Sequence, residues 1–100
     1  MKHEINDILH YLASQKEYFR TNYNIVKIGI FGSYSKDSQT ENSDIDIIFE
    51  FGEKTTDIFD KKYSLREELV EHFQTNVDLC RERAIKPIFR ESILREAIFV

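Results

Sequence analysis

The stretch IGIFGSYSKDSQTENSDIDIIFE, from Ile28 to Glu50, decides how this chain folds. An apolar run ends at Gly32-Ser33, polar residues follow, and a second apolar run opens with Asp44-Ile45-Asp46. β-branched and aromatic residues bounded by turn formers predict strands from Ile25 to Phe31 and from about Asp44 to Phe51. Two carboxylates inside a strand are costly unless a positive group compensates them. The stretch is therefore either a metal- and phosphate-binding site or a hairpin with an acidic edge.

Helical patterns lie on both sides of these strands. Apolar residues at spacings of three, four and seven predict an amphipathic helix from about Lys2 to Arg20, followed by a turn over 21–24. Between the strands, a short helix is expected to begin at 34–37. After the second strand, Asp57 is the expected N-cap of a helix that ends before Thr75-Asn76.

The remaining elements complete a small sheet. A third strand is expected from Val77 to Cys80, and Pro87 suits the first turn of a last helix. The apolar residues assigned to that helix are Ile88, Ile93, Leu94 and Ile98. The first two strands are predicted antiparallel because their connection is too short for a crossover helix, and the next two parallel. The fold class is therefore α/β (α+β), a small mixed β-sheet flanked by helices, in a single domain spanning residues 1–100.

Three carboxylates are expected to converge on this sheet. Side chains two residues apart in a strand share a face, so Asp44 and Asp46 project together. Asp78 stands between apolar Val77 and Leu79 and joins them if its strand lies beside the second. Like charges this close raise one another's pKa unless a cation sits among them, and carboxylate oxygens suit Mg²⁺. Asp44 and Asp46 are predicted to hold metal, and Asp78 to bind metal or to deprotonate an acceptor hydroxyl.

The Gly32-Ser33 turn is the complementary, anion-binding half of the site. A glycine allows close approach of a ligand, and N–H groups at the start of a helix bind anions. The Ser33 hydroxyl and the Lys36 ammonium can bind the same phosphates. Such an arrangement serves in-line phosphoryl or nucleotidyl transfer. Each part alone is ordinary in surface turns and strand edges, and only the combination favours a site.

These motifs resemble those of a known family. The spacing Gly32-Ser33, ten residues, Asp44-Ile45-Asp46 is similar to the motif of nucleotidyltransferases related to polymerase beta. The segments IFGSYSK (30–36), ENSDIDIIFEF (41–51), NVDL (76–79) and ILREA (93–97) resemble its minimal nucleotidyltransferase (MNT) branch. In place of Lys36 and Asp37 the family often has Arg and Gly, and Lys lacks the bidentate guanidinium fork.

The resemblance implies the nucleotidyltransferase fold, ATP as substrate and two Mg²⁺ ions. Gly32 and Ser33, with Lys36 and Ser43, would bind the nucleotide, while Asp44, Asp46 and Asp78 would be the catalytic, metal-binding carboxylates. It also implies an antitoxin that transfers AMP to a tyrosine hydroxyl of a partner HEPN-domain RNase toxin and releases pyrophosphate. The alternatives are a non-catalytic antitoxin that neutralises its toxin by binding, and transfer to a small molecule.

Composition limits the remaining classes of function. The net charge of -4, without a basic block, argues against general nucleic-acid binding. A single cysteine, Cys80, fits a reducing compartment. No apolar stretch approaches the roughly 20 residues that span a bilayer. The acidic start of the chain lacks the apolar core of a signal peptide. A cytoplasmic protein without a membrane partner is expected.

Overall fold

A computed structural model describes residues 3–36, 38–40 and 42–100. Its elements are α1 (Ile5–Ser14), α2 (Lys16–Tyr23), β1 (Ile25–Phe31), β2 (Ile45–Phe51), α3 (Ile58–Phe73), β3 (Val77–Arg81), a 3₁₀ turn (Glu82–Ala84), α4 (Pro87–Glu96) and β4 (Ile98–Phe99). One sheet contains the strands in the order β3-β2-β1-β4. The β1–β2 pair is antiparallel and the β2–β3 pair parallel, which confirms the predicted mixed sheet.

The segment before β1 differs from the prediction. Its described part forms two helices, because Gln15 leaves the helical conformation at φ -102°, ψ 5°. The apolar stripe is nevertheless kept, since Ile8, Leu12 and Phe19 are all buried. The turn predicted over 21–24 is wrong for its first three residues, which continue α2. Asn24 alone turns the chain, at φ 56°, because asparagine tolerates the left-handed region.

Three helices cover one face of the sheet. In β2, Ile45, Ile47, Phe49 and Phe51 point into the core. They pack there with α1, α2 and α3. Asp46 and Glu50 occupy the alternate positions of β2 and therefore project from the other face. The helix predicted after Asp57 is confirmed as α3, but Asp57 has a φ of 54° and makes no capping hydrogen bond with its side chain. No helix in the described ranges is long and apolar enough to cross a membrane.

The end of the last predicted helix is wrong. α4 begins at Pro87 as expected, but Ile98 belongs to β4, which pairs antiparallel with β1. Gly29 lies opposite Phe99, and a Cβ on Gly29 would collide with the backbone oxygen of Ile98. The absence of a side chain at Gly29 therefore lets the backbone of β4 approach β1 closely.

Gly29→Ala is expected to lower the free energy of unfolding by about 1–3 kcal/mol, because the neighbouring atoms are backbone and cannot rotate away. Urea unfolding measures the loss, and amide exchange at Phe99 and Val100 should quicken as β4 separates. Gly52→Ala is the matched control, since its nearest neighbours are side-chain atoms of Asn24 and Val26 at 3.1–3.2 Å. Equal losses in both variants would contradict the close packing of β4 on β1.

Candidate active site

The strand register brings two of the predicted carboxylates together. Asp46 is the direct partner of Asp78 in the parallel β2–β3 ladder, and of Phe31 in the antiparallel β1–β2 ladder. Asp44 precedes β2 and is exposed, as is Asp78, whereas Asp46 is half-buried. Asp46 therefore occupies the centre of the acidic patch, on the sheet face opposite α1, α2 and α3.

The surroundings of Asp46 also perturb its ionisation. Burial, and then the negative charges of Asp78 and Asp44, raise the pKa of Asp46 from 3.8 to about 6. Within the described ranges, none of the three carboxylates accepts a hydrogen bond from the protein or pairs with a cationic side chain. The described residues thus leave the charge of Asp46 uncompensated, which is the situation in which a bound cation stabilises a carboxylate.

Gly32 fixes the turn against this carboxylate. Its φ of +72° lies in the left-handed region, and a Cβ at this position would collide with Oδ2 of Asp46. Any other residue would meet both backbone strain and this collision. The predicted phosphate turn and the predicted metal ligand are therefore adjacent.

The turn itself is not the predicted helix. Its described residues Tyr34–Lys36 form a turn, in which Lys36 N–H donates to Gly32 O at 3.3 Å and Ser38 N–H to Ser33 O at 2.9 Å. Within the part of the chain that the structure describes, the N–H groups of Ser33, Tyr34 and Ser35 donate no hydrogen bond. Three free N–H groups beside a glycine make an anion-binding concavity without a helix N-terminus. Asp37, which belongs to the segment where the helix was expected to begin, lies outside the described residues.

The two less central predicted residues have partners within the protein. The ammonium of Lys36 lies 3.2 Å from Oε2 of Glu96 at the end of α4, and both side chains are exposed. The hydroxyl of Ser43 accepts a hydrogen bond from Thr40 N–H at 2.9 Å. Ser43 thus braces the loop that leads to Asp44. A role of either residue in nucleotide binding stays a prediction.

The donor set fits Mg²⁺. Asp46 and Asp78 offer hard oxygen ligands side by side, and Mg²⁺ usually takes one or two carboxylates and completes its shell with water and phosphate oxygens. Across the described residues, no three His, Cys, Asp or Glu side chains form a ready-made cluster that could hold a metal ion. The protein could thus supply part of a coordination shell that substrate phosphates would complete.

A buried carboxylate that was not predicted from the sequence, Glu50, lies on the same face. Glu50 is only 5% exposed and accepts hydrogen bonds from Arg81 Nη2 at 2.9 Å, Arg83 N–H at 2.9 Å and Phe51 N–H at 2.8 Å. Arg81 is the last residue of β3, and both its Nε and its Nη2 donate to Oε2 of Glu50. Its position could have been predicted from its spacing of four residues from Asp46 in the same strand, which places Glu50 on the same face.

Comparison with known proteins identifies the family. Residues 14–100 match the family described as "Polymerase beta, Nucleotidyltransferase". A Methanocaldococcus jannaschii protein, provisionally named a protein adenylyltransferase, is 40% identical over 97% of this chain and 95% of its own. The chain belongs to this family. The protein is a nucleotidyltransferase, and the protein adenylyltransferase MntA of Thermococcus cleftensis is 30% identical to it over 96% of this chain and 95% of its own.

Solved structures confirm the fold of this nucleotidyltransferase. A structure provisionally described as a minimal nucleotidyltransferase matches with a TM-score of 0.78 and 26% identity, over 96% of this chain and 95% of its own. A toxin–antitoxin structure with AMP-PNP matches with a TM-score of 0.66 and 24% identity, over 95% of this chain and 70% of that one. A complex of MNT antitoxin with tri-AMPylated HEPN toxin of Shewanella oneidensis matches at 0.57 and 21%, over 95% and 66%. At these lower identities the likeness concerns the fold alone.

Proposed function

We propose that this nucleotidyltransferase is a Mg²⁺-dependent antitoxin that transfers AMP from ATP to a tyrosine hydroxyl of an HEPN-domain RNase toxin. The observation that carries the proposal is the position of Asp46, which pairs in register with Asp78 and whose carboxylate lies against Gly32 in the turn after β1. It joins an anion-binding turn to a pair of carboxylates. The names of the relatives, which are protein adenylyltransferases, support a protein as acceptor.

The residues divide the work of the transfer. The free N–H groups of the Gly32 turn and the Ser33 hydroxyl would bind the triphosphate and orient its α-phosphate toward the carboxylates. Asp44, Asp46 and Asp78 would hold Mg²⁺, whose charge would neutralise the phosphate charge that develops during transfer. The acceptor oxygen forms a bond to the α-phosphorus, the bond to the β-phosphate oxygen breaks, and pyrophosphate leaves. Asp78 is exposed and can accept the hydroxyl proton.

The test uses the purified protein, ATP labelled at the α-phosphate, Mg²⁺ and an HEPN toxin encoded beside it. Label is expected on the toxin, at a tyrosine, and its appearance should require both Mg²⁺ and active enzyme. A toxin that stays unlabelled at high enzyme concentration would rule out the proposed activity. Label on serine or threonine would keep the transfer and correct the acceptor.

A second candidate is an antitoxin that neutralises its toxin by binding alone. Solved structures of similar fold that are toxin–antitoxin complexes support it. Replacing Asp44 and Asp46 together by Asn distinguishes the two. Loss of neutralisation supports catalysis, whereas full neutralisation by the double variant assigns the function to binding.

Mg²⁺ and ATP together are expected to raise the melting temperature, because a ligand that binds only the folded state stabilises it, by about 2.7 kcal/mol at a hundred times its Kd. Thermal denaturation with and without the ligands measures the shift. Asp46→Asn should lose most of it, whereas Asp60→Asn, an exposed acid on α3, should retain it. An undiminished shift in Asp46→Asn would show that the nucleotide binds elsewhere.

A further inference from the structure

One edge of the sheet is only half covered. β4 pairs with Gly29 and Ile30 of β1, and one further hydrogen bond runs from Val100 N–H to Ile28 O at 3.1 Å. Within the ranges 3–36, 38–40 and 42–100, no strand lies beside the backbone of residues 25–27 on this side. An unpaired strand edge is a template onto which another extended segment can add.

A β-bulge shapes this free edge. In the β1–β2 ladder Ile25 pairs with Phe51 and Lys27 with Glu50, so Val26 is an extra residue. The bulge turns both Ile25 and Ile28 toward the core and leaves the Val26 side chain 59% exposed. The edge therefore presents the apolar side chain of Val26 between the buried Ile25 and the exposed Lys27.

A cavity of about 330 Å³ lies at the same place, between α2 and the start of β1. Its lining includes Lys16 and Arg20, one helical turn apart on α2, and Lys27 of β1. Glu17 is the one acid in that lining. Cavities of this size are at the lower end of those that take ligands or side chains.

The cations of this edge are distributed over both faces of the sheet. Lys16 and Arg20 belong to α2 on the helical face, and neither forms an ion pair within the described part of the chain. Lys27 is paired in register with Glu50 and so projects from the opposite face, where its ammonium lies 2.9 Å from Glu82. In a protein of net charge -4, two uncompensated cations beside a free edge select an acidic ligand.

We propose that the edge formed by residues 25–27 of β1 binds an extended acidic segment of a partner protein, which adds to the sheet as a strand antiparallel to β1. Backbone hydrogen bonds to the edge supply affinity. Alternate side chains of the added strand would face α2, so acids at every second position would meet Lys16 and Arg20. The inference is independent of the chemistry at Asp46, which lies toward the opposite end of the sheet.

The test titrates the whole protein with a fluorescent peptide of about six residues in which Glu alternates with Val. Saturable binding at one site is expected, with no binding of the peptide in which Lys replaces Glu. Arg20→Glu and Lys16→Glu should each weaken binding about tenfold or more, and Arg95→Glu, an exposed arginine on α4, should leave it unchanged. Circular dichroism verifies that each variant is folded.

Two further measurements test whether the peptide binds as an added strand and whether the edge binds a partner protein or a second copy of this chain. Methylating the backbone nitrogens of alternate peptide residues removes the donors that strand addition needs, so binding should be lost in one of the two methylated frames. Equal binding of both frames, or equal binding by Arg20→Glu, overturns the proposal. Sedimentation of the protein alone tests whether a second copy of the chain occupies the edge. A dimer that Arg20→Glu dissociates would assign the edge to a second copy and would also overturn the proposal.

Discussion

Asp46→Asn is expected to lose AMP transfer and to gain stability at neutral pH. The substitution keeps the shape of the side chain but removes the charge that would hold Mg²⁺ beside Asp78. Since metal ions contribute several kcal/mol of transition-state stabilisation, the rate should fall about a thousandfold or more. Single-turnover transfer of labelled AMP to the toxin measures the loss.

The gain in stability follows from the raised pKa. Asp46 titrates near 6 in the folded protein against 3.8 in the unfolded chain. The stabilisation that its protonation gives is therefore fully present below about pH 3.8 and is lost as the pH rises through about 6. Asn is neutral throughout, so Asp46→Asn should be the more stable protein above pH 6, by about 1 kcal/mol after allowance for solvent screening.

A loss of activity together with a gain in stability cannot result from a general disruption of the fold. Urea unfolding near pH 7.5 should show the gain, and near pH 4 the two proteins should be equal. Asp60→Asn, the exposed control on α3, should leave activity unchanged and should lower stability by no more than about 1 kcal/mol, because it removes a charge in the first turn of the helix. If Asp46→Asn were less stable at neutral pH, favourable protein contacts would have to hold this carboxylate, and its assignment as a metal ligand would lose its main support.

Local patterns in the sequence sufficed to predict much of this fold. Alternating apolar residues and turn formers give β1 at its observed bounds, with β2 one residue shorter than predicted and β3 one residue longer. The short first connection and the helical second one give the antiparallel and parallel pairings. Because pairing register follows from these constraints, the neighbourhood of Asp46 and Asp78 could be predicted as well.

The missed features depend on contacts between distant parts of the chain. β4 has two residues, and only its fit against Gly29 distinguishes it from the end of a helix. The break at Gln15 involves neither glycine nor proline, so no local signal marks it. The ion pair of Lys36 with Glu96 joins residues that no periodicity relates.

The hydrogen bonds of Glu50 with Arg81 and Arg83 also join distant parts of the chain, and their loss should have a large effect on stability. Glu50→Gln should lower the free energy of unfolding by about 3–5 kcal/mol, because it leaves Arg81 partly buried without its counter-charge. Burial alone would raise the pKa of Glu50. Hydrogen bonds from Arg83 N–H, Arg81 and Phe51 N–H, with the charge of Arg81, hold that pKa below its usual value of 4.5.

The sign of this pH dependence is opposite to that of Asp46. The stability contributed by the ionised Glu50 is fully present above about pH 4.5 and is lost as the pH falls through its lowered folded pKa. Urea unfolding of wild type and Glu50→Gln should therefore differ most near neutral pH and converge in acid. Glu91→Gln is the matched control: its ion pair with Arg95 is exposed on both sides, so its loss should cost less than about 1 kcal/mol.

The Glu50–Arg81 pair should also matter for activity, because it joins β2 to the edge strand β3 at the end opposite the acids. If this pair fixes the β2–β3 register, its loss lets Asp78 shift relative to Asp46, and AMP transfer should fall by more than the unfolded fraction explains. Arg81→Lys keeps the charge but not the guanidinium geometry. This variant should remain folded, with intermediate losses of stability and of AMP transfer. Transfer that simply follows the folded fraction in both variants would show that backbone pairing alone sets the register, and that Glu50 contributes only to stability.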